Sequence, residues 1–456
     1  MRFSTDPSNG NQKSFFAQIH ETAMNVLFAI QSSGTTTDNA AGKVPTPAPA
    51  GNEAAEFTRQ RFAKMPELAK AFWERWYIAL KNILPIYIAV HLAFAVATYF
   101  SFLFVFPAYS PNTMPIRELL KSWARKDTAH YVWIATHGYT DAWRTAFFPL
   151  YPLLERFLMV FTHGAFNAGL IISNLAGLIM LMVLYRLVLE DFDHEHAYRT
   201  VLYLSIFPTA FFFASAYNES LFLCLSVLSF YHMRHRQWWL AGLFGLLASL
   251  TRSTGLLLFV PFCYEYLRQR HFSLKTFLFN ALSGILIPAG TALFALYCYI
   301  QFQDPLAFSH AQAVWHRKLE APWVGIFLSI SDIVHSGGLI SFTAIRNIFE
   351  LGLVLFILTL IVLSFVGPWK FPRNMRSYSI YAAVAFLFLL LFPVIYIYPY
   401  LFPLGSNPRF LLELFPAFIV LAAIGRNQTF NMIYLMTASA MLFLFLVEFL
   451  TGTWLT

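Results

Sequence analysis

Charge is scarce in this chain. Asp, Glu, Lys and Arg make up 12% of its 456 residues, against about 25% in an ordinary soluble domain. With 58% hydrophobic residues and a mean hydropathy of +0.57, the chain cannot cover itself with polar surface, which excludes a water-soluble globular protein. Cysteine is nearly absent too. Cys224, Cys263 and Cys298 all lie in apolar runs. They form neither a disulfide framework nor a metal-ligand spacing, and read as packing residues. The sequence also lacks a P-loop, GxGxxG, HExxH, GxSxG and paired CxxC, so the nucleotide, zinc-protease, serine-hydrolase and redox signatures are missing. Neither a cofactor nor a metal is expected. The first 30 residues hold no long apolar stretch with a small-residue cleavage site, so no cleaved signal peptide is expected. No internal repeat is visible.

What the chain does have is long apolar runs. Eleven segments read as membrane spans: 83–107, 166–188, 199–215, 220–233, 238–250, 255–268, 276–301, 348–367, 377–400, 410–425 and 429–452. A helix needs roughly 20 apolar residues to cross a bilayer. The short pair 238–250 and 255–268 also reads as a helical hairpin that enters only partway. The expected fold is an all-α polytopic membrane bundle over residues 76–456. Residues 1–75 form a separate cytoplasmic segment. There, Phe15, Phe16, Ile19, Val26, Leu27 and Ile30 recur at helical spacing, which predicts an amphipathic helix. A Pro/Ala/Thr/Gly linker and a basic amphipathic stretch follow.

The net charge is +8. Basic residues gather in the N-terminal segment and in the turns "HMRHRQ", "RQRHFSLK" and "KFPRNMR". With the spans above, these fall on one side, taken as cytoplasmic, and they imply membrane lipids rather than nucleic acid as the partner. The loop 108–145 lies on the other side yet carries Arg117, Lys121, Arg125, Lys126 and Arg144, so those residues need another explanation.

That other side also receives "WARKDTAHY", "SAYNES", "TRST", "DPLAFSHAQAVWHRK" and "GSNPRF", as an active site facing the outer leaflet would. Asp127, His130, Ile134 and His137 recur at spacings of three and four, with Tyr131 at the edge of that face. Arg125 and Lys126 favour an ionised Asp127, which suits it to take a proton from an acceptor hydroxyl. Simple charge balance explains the same pattern. Arg252 and Arg409 offer planar forks that match phosphate oxygens. A helix cap or snorkelling for Arg252, and an (i, i+4) pair with Glu413 for Arg409, are the plainer alternatives. Asn218 suits a cap and Glu219 a helix first turn, but capping does not explain why Tyr217, Asn218 and Glu219 meet at one rim. Asp304 opens the fourth block. Within it, Gln312 and Trp315 are three apart, which fits a sugar stacked on an indole beside an amide. An interfacial Trp is the alternative.

"KDTAHYVWIATHGY", "AFFPLYPLLER", "FPTAFFFASAYNESLF", "WWLAGLFGLLASLTRSTGLLL", "DPLAFSHAQAVW" and "NPRFLLELFPAF" resemble, in this order, the PIG-V family of mannosyltransferases, named for the enzyme that adds the second mannose of the GPI anchor. The resemblance runs from about Trp123 to Ala423. It implies a GT-C glycosyltransferase of about eleven spans with its active site in an extracytoplasmic first loop. It also implies transfer of a hexose, mannose first, from a polyprenyl- or dolichyl-phosphate carrier to a glycolipid or glycan, with inversion. Asp127 matches the family's acid. Lys126 stands where the family usually has Trp, so a stacking contact is either lost or supplied by Trp123 or Trp133. The compact loops are similar to prokaryotic members, for which the plasma membrane is the expected location; a eukaryotic member would sit in the endoplasmic reticulum. Two readings compete: a transporter or flippase for a lipid-linked sugar, and a non-catalytic member of the same fold.

Overall fold

The computed structural model describes residues 65–105, 116–270, 279–395 and 402–452. The amphipathic helix expected at 15–30 and the linker after it lie outside the described residues. Contacts divide the chain into Met1–Ala69 and Lys70–Thr456, and the second unit holds every element of the candidate site. The helices of ten or more residues are, in chain order, α1 (Met65–Val105), α2 (Asp127–His137), α3 (Leu150–Thr162), α4 (Ala165–Asp191), α5 (His194–Ser205), α6 (Glu219–Arg234), α7 (Trp238–Thr251), α8 (Phe259–Gln269), α9 (Leu286–Phe302), α10 (Val324–His335), α11 (Phe342–Phe365), α12 (Arg376–Leu390), α13 (Phe415–Ile424) and α14 (Gln428–Thr451). The protein is all-helical over the described residues, apart from an isolated antiparallel bridge between Arg317 and Val394.

Five stretches among the described residues are long and apolar enough to cross a bilayer: Trp73–Leu103, Ala165–Asp191, Phe279–Phe302, Phe342–Phe365 and Gln428–Thr451. A sixth is added if Asn407–Glu413 and Phe415–Ile424, bent by 80°, count as one span. Several other segments read as spans form shorter helices, among them α6, α7, α8 and α12.

The stretch 199–215 departs most from expectation. α5 ends at Ser205, and the chain continues through a short 3-10 turn at Ala210–Phe213. Pro208 explains the break, since it lacks an amide donor and pushes the preceding residue out of helical backbone. The broken segment is nonetheless in the core, with Phe207, Phe211 and Tyr217 almost wholly buried. Irregular backbone at such depth needs partners for its carbonyls, and neighbouring side chains supply them. Asn174 donates to Ala214 O at 3.1 Å, Ser220 to Phe213 O at 2.8 Å, Ser173 to Tyr217 O at 2.7 Å and Thr128 to Ala216 O at 3.3 Å. These bonds fix the start of α6, and with it Asn218 and Glu219.

α7 and α8, read either as two short spans or as a hairpin, are joined by a short reversal. Its tip passes through Arg252 in extended backbone, then a 3-10 turn at Ser253–Leu258. The reversal is tight: a Cβ on Gly255 would lie 2.4 Å from the backbone of Ala248 and Ser249, so only glycine fits there. α9 packs as closely on α7, where a Cβ on Gly290 would meet Leu246 O at 2.5 Å, the small-residue contact common between membrane helices.

α6 places charge at both ends of the bundle. Glu219 opens it and Arg234 closes it, about 22 Å apart at 1.5 Å per residue. At the Arg234 end, Asp191 accepts from Arg234 and, at 2.9 Å, from Tyr378 Oη. The Glu219 end opens onto a cavity.

Candidate active site

The cavity holds about 460 Å³. Five separate stretches of chain meet in it: Asp127 and Tyr131 from α2, Asn218 from the start of α6, Arg252 from the end of α7, Gln312, Trp315 and Arg317 from the segment after α9, and Arg409 from the turn before α13. Phe147 and Phe148 add aromatic wall, and Leu306, Leu256, Phe388 and Phe392 make another part apolar.

A chain of ion pairs runs behind the polar wall. Arg409 donates to Asp127 Oδ2 at 2.6 Å, and its Nε lies 3.0 Å from Glu219 Oε1. The same Glu219 oxygen accepts from Arg252 at 3.0 Å, and Arg252 Nε lies 2.9 Å from Glu413 Oε1. Arg252 also donates to Asn218 Oδ1 at 2.9 Å, and Thr254 donates to Glu413 Oε2 at 3.0 Å. Phe410 sits beneath both guanidiniums, 4.5 Å from that of Arg252 and 4.7 Å from that of Arg409. The Phe410 ring thus covers part of both guanidiniums. Asp127 Oδ1 takes no hydrogen bond among the described residues, while Asp127 lines the cavity.

The residues singled out from the sequence divide in two. Asp127, Tyr131, Asn218, Arg252, Gln312, Trp315 and Arg409 line the cavity. Glu219 lies just behind it, 1% exposed, between two arginines. Tyr217 is buried beneath Arg409, and its hydroxyl donates to Arg125 O at 3.0 Å. Arg125 points away, donating to Ser122 O and Leu450 O. His137 is exposed and stacks on Trp133, on a different face from buried Ile134. Asp304 accepts from His310 at 2.8 Å, which holds its carboxyl below the usual carboxylate range. His130 packs among Trp143, Phe147 and Trp315. Burial holds its imidazole below the ordinary value, with Asp127 pulling it up and Arg144 pushing it down. It is therefore neutral near pH 7 and not a reserve cation.

Two sequence expectations change. Arg409 pairs with Asp127 and Glu219, and Glu413 pairs with Arg252 instead. The stacking contact expected from Trp123 or Trp133 is not made by them at the cavity. Trp123 is buried against Phe94 and Phe449, and Trp133 is exposed. Phe147 and Trp315 supply the aromatic wall. Lys126 sits at φ 44° with its side chain exposed, a backbone region uncommon outside glycine, and it turns the chain into α2.

Sequence reasoning missed Arg317 and the role of Glu413. Arg317 lines the cavity and has no ion pair with a carboxylate among the described residues; its guanidinium lies 5.1 Å from the Phe410 ring. Burial, with the guanidiniums of Arg409 and Arg252 facing it, pushes its pKa down to about 10. A partnerless cation in that position favours an arriving anion. The basic pair in "WHRK" was the available signal, but nothing in the sequence separated Arg317 from Lys318.

The family profile described as dolichyl-phosphate-mannose-protein mannosyltransferase matches residues 148–299, which include Asn218, Glu219 and Arg252. GPI alpha-1,6-mannosyltransferase 2 of Rattus norvegicus is 26% identical over 271 residues, covering 51% of this chain and 55% of the rat protein. The chain is thus similar to the PIG-V mannosyltransferases over about half of its length. The protein of the same name in Homo sapiens is 27% identical over 216 residues, 42% of this chain and 43% of the human one. The chain thus spans about half the length of the curated PIG-V relatives it matches. Among solved structures, the apo crystal structure of ArnT from Cupriavidus metallidurans overlaps 67% of this chain and 54% of that chain, with TM-score 0.41 and 14% identity.

Proposed function

We propose that this protein is a membrane glycosyltransferase that takes a hexose, mannose by its relatives, from a polyprenyl-phosphate carrier and passes it to an acceptor hydroxyl with inversion, on the extracytoplasmic side. The observation that carries the reading is the pairing, in one cavity, of a clamped carboxylate with an oxygen open among the described residues, Asp127, and a guanidinium without a carboxylate partner among them, Arg317.

Each group has a task in such a transfer. Asp127 Oδ1 takes the acceptor proton as the hydroxyl oxygen attacks the anomeric carbon from the side opposite the phosphate. The bond from that carbon to the phosphate oxygen breaks, and the carrier phosphate leaves with added negative charge. Arg317 meets that charge as it develops, where stabilisation lowers the barrier most. Arg252 and Arg409 are already committed to carboxylates, so their main work is to hold Asp127 and Glu219 in place. The apolar wall at Leu306, Leu256 and Phe388 suits the first isoprene units of the carrier.

A transporter for the same lipid would concentrate charge and broken helices near the bilayer midplane. Here the ion pairs lie at one end of α6, about 22 Å from Arg234 at the other, which favours the enzyme. The test is transfer of radiolabelled mannose from polyprenyl-phosphate-mannose by the reconstituted chain to extracted membrane glycolipids and glycans. Labelled product supports the reading. Movement of the intact carrier across the vesicle, with no cleavage, would replace it with the transporter.

A further inference from the structure

Asp127 opens α2, yet nothing local fixes that opening. The residue before it, Lys126, makes no side-chain capping bond and sits at φ 44°. A residue other than glycine stays in that region only where the surrounding fold holds it there. The hold on Asp127 therefore comes from outside the turn, and the last turn of α14 is packed against it.

One set of contacts is polar. Arg125 donates from Nε to Ser122 O at 3.0 Å and from Nη2 to Leu450 O, 325 positions away in sequence. Leu450 O belongs to the carbonyls that the end of α14 leaves without an intrahelical partner, and a cation suits that negative end. The Arg125 carbonyl serves the other side. It accepts from Thr128 N at 3.0 Å, inside the first turn of α2, and from Tyr217 Oη at 3.0 Å. The other set is aromatic. Phe449 meets Trp123 at 6.1 Å, Tyr217 at 6.0 Å and Phe211 at 5.1 Å, and Trp123 Nε1 donates to Thr98 Oγ1 of α1 at 3.2 Å. Residues 123–125 are thus held between α1, α14 and the stretch leading into α6, directly before the strained Lys126.

We infer that the last turn of α14 is a clasp that sets the position of Asp127, with Arg125 and Tyr217 as positioning residues. The inference rests on the transfer reading above for what Asp127 does once held. Neither Arg125 nor Tyr217 is among the described residues that line the cavity. Their loss moves the base without removing a contact to the carrier. A displacement of about 1 Å at a reacting group costs on the order of 10²-fold in rate.

The test uses the full purified chain in detergent and three variants: Arg125→Ala, Arg125→Lys and Tyr217→Phe. Hydrogen exchange is followed at the amides of Thr128 and Ala129, which donate to Arg125 O and Lys126 O. On the same samples, kcat and KM are measured separately for polyprenyl-phosphate-mannose. Exchange at the two amides should speed up about fivefold or more in Arg125→Ala and about threefold in Tyr217→Phe, the scale of a lost hydrogen bond. Turnover should fall about tenfold or more in Arg125→Ala, with KM within about twofold of wild type. Arg125→Lys keeps a charged donor for Leu450 O and should recover most of that loss. If Arg125→Ala does not fold, Tyr217→Phe carries the test, since it removes one hydrogen bond and keeps its ring beneath Arg409. Wild-type exchange and turnover in the alanine and phenylalanine variants would overturn the inference. So would exchange that rises equally along α4 and α14, the mark of a general loss of stability. A rise in KM that accounts for the whole loss would place Arg125 on the carrier and overturn it too. Faster exchange at the turn, in a chain whose wild type transfers no mannose, would sink the transfer reading and leave the clasp standing.

Discussion

Arg409 donates to Asp127 Oδ2 at 2.6 Å, joining residues 282 positions apart in sequence. Its Nε lies 3.0 Å from Glu219, so one guanidinium separates two carboxylates that are mostly buried. Removing one member of a buried pair costs about 3–5 kcal/mol. Arg409→Ala should therefore lower the melting temperature and the turnover together. Arg409→Lys keeps the charge but loses the fork, and should retain part of both. Scanning calorimetry beside turnover on the same preparations checks this. Wild-type melting and turnover in the alanine variant would remove the clamp from the account.

Arg317 should behave in the opposite way. Among the described residues it pairs with no carboxylate that its loss would strand, so Arg317→Ala should fold with near-wild-type stability. Turnover and affinity for polyprenyl phosphate should fall by about tenfold or more, the loss of a charge-assisted contact to phosphate. Arg252→Ala, which strands Glu413 and leaves Glu219 with Arg409 alone, should lose stability first. Equal carrier affinity with and without the Arg317 side chain would leave the donor phosphate without its proposed partner.

The two arginines show where sequence reasoning reaches its limit. The helical bundle, the α7–α8 hairpin and the meeting of five distant polar blocks were legible, because hydrophobic runs fix helices and turn residues fix their ends. The division of labour among the cations was not. Arg252, Arg317 and Arg409 are chemically identical in the sequence, and only their neighbours decide which is spent. Arg409 reaches Asp127 rather than Glu413 because the turn at Asn407–Phe410 points it back across the bundle, a tertiary fact without local signature. The apolar run 199–215 likewise looked like a span. Its hydropathy is that of a span, but Pro208 breaks the helix there.

His130 supplies a pH test. Burial holds its pKa in the folded chain below the unfolded value. Between those two values the unfolded chain binds more protons, so stability rises with pH and is lost on acidification below about 6.5. His130→Phe keeps a ring against Trp143 and Phe147 and removes the titration. Its melting temperature should shift less than that of wild type between about pH 7 and pH 5. An unchanged acid sensitivity in the variant would assign the titration to another group.

The central claim is that Asp127 takes the acceptor proton in a glycosyl transfer, and one comparison tests it most directly. Purified wild type and Asp127→Asn are given radiolabelled polyprenyl-phosphate-mannose, and the initial rate of labelled product formation is measured at saturating carrier. Asparagine keeps the size and removes the basicity, so the account predicts a loss of about 10²–10⁴-fold, the usual worth of a general base, with carrier affinity little changed. Full turnover in the asparagine variant would contradict it.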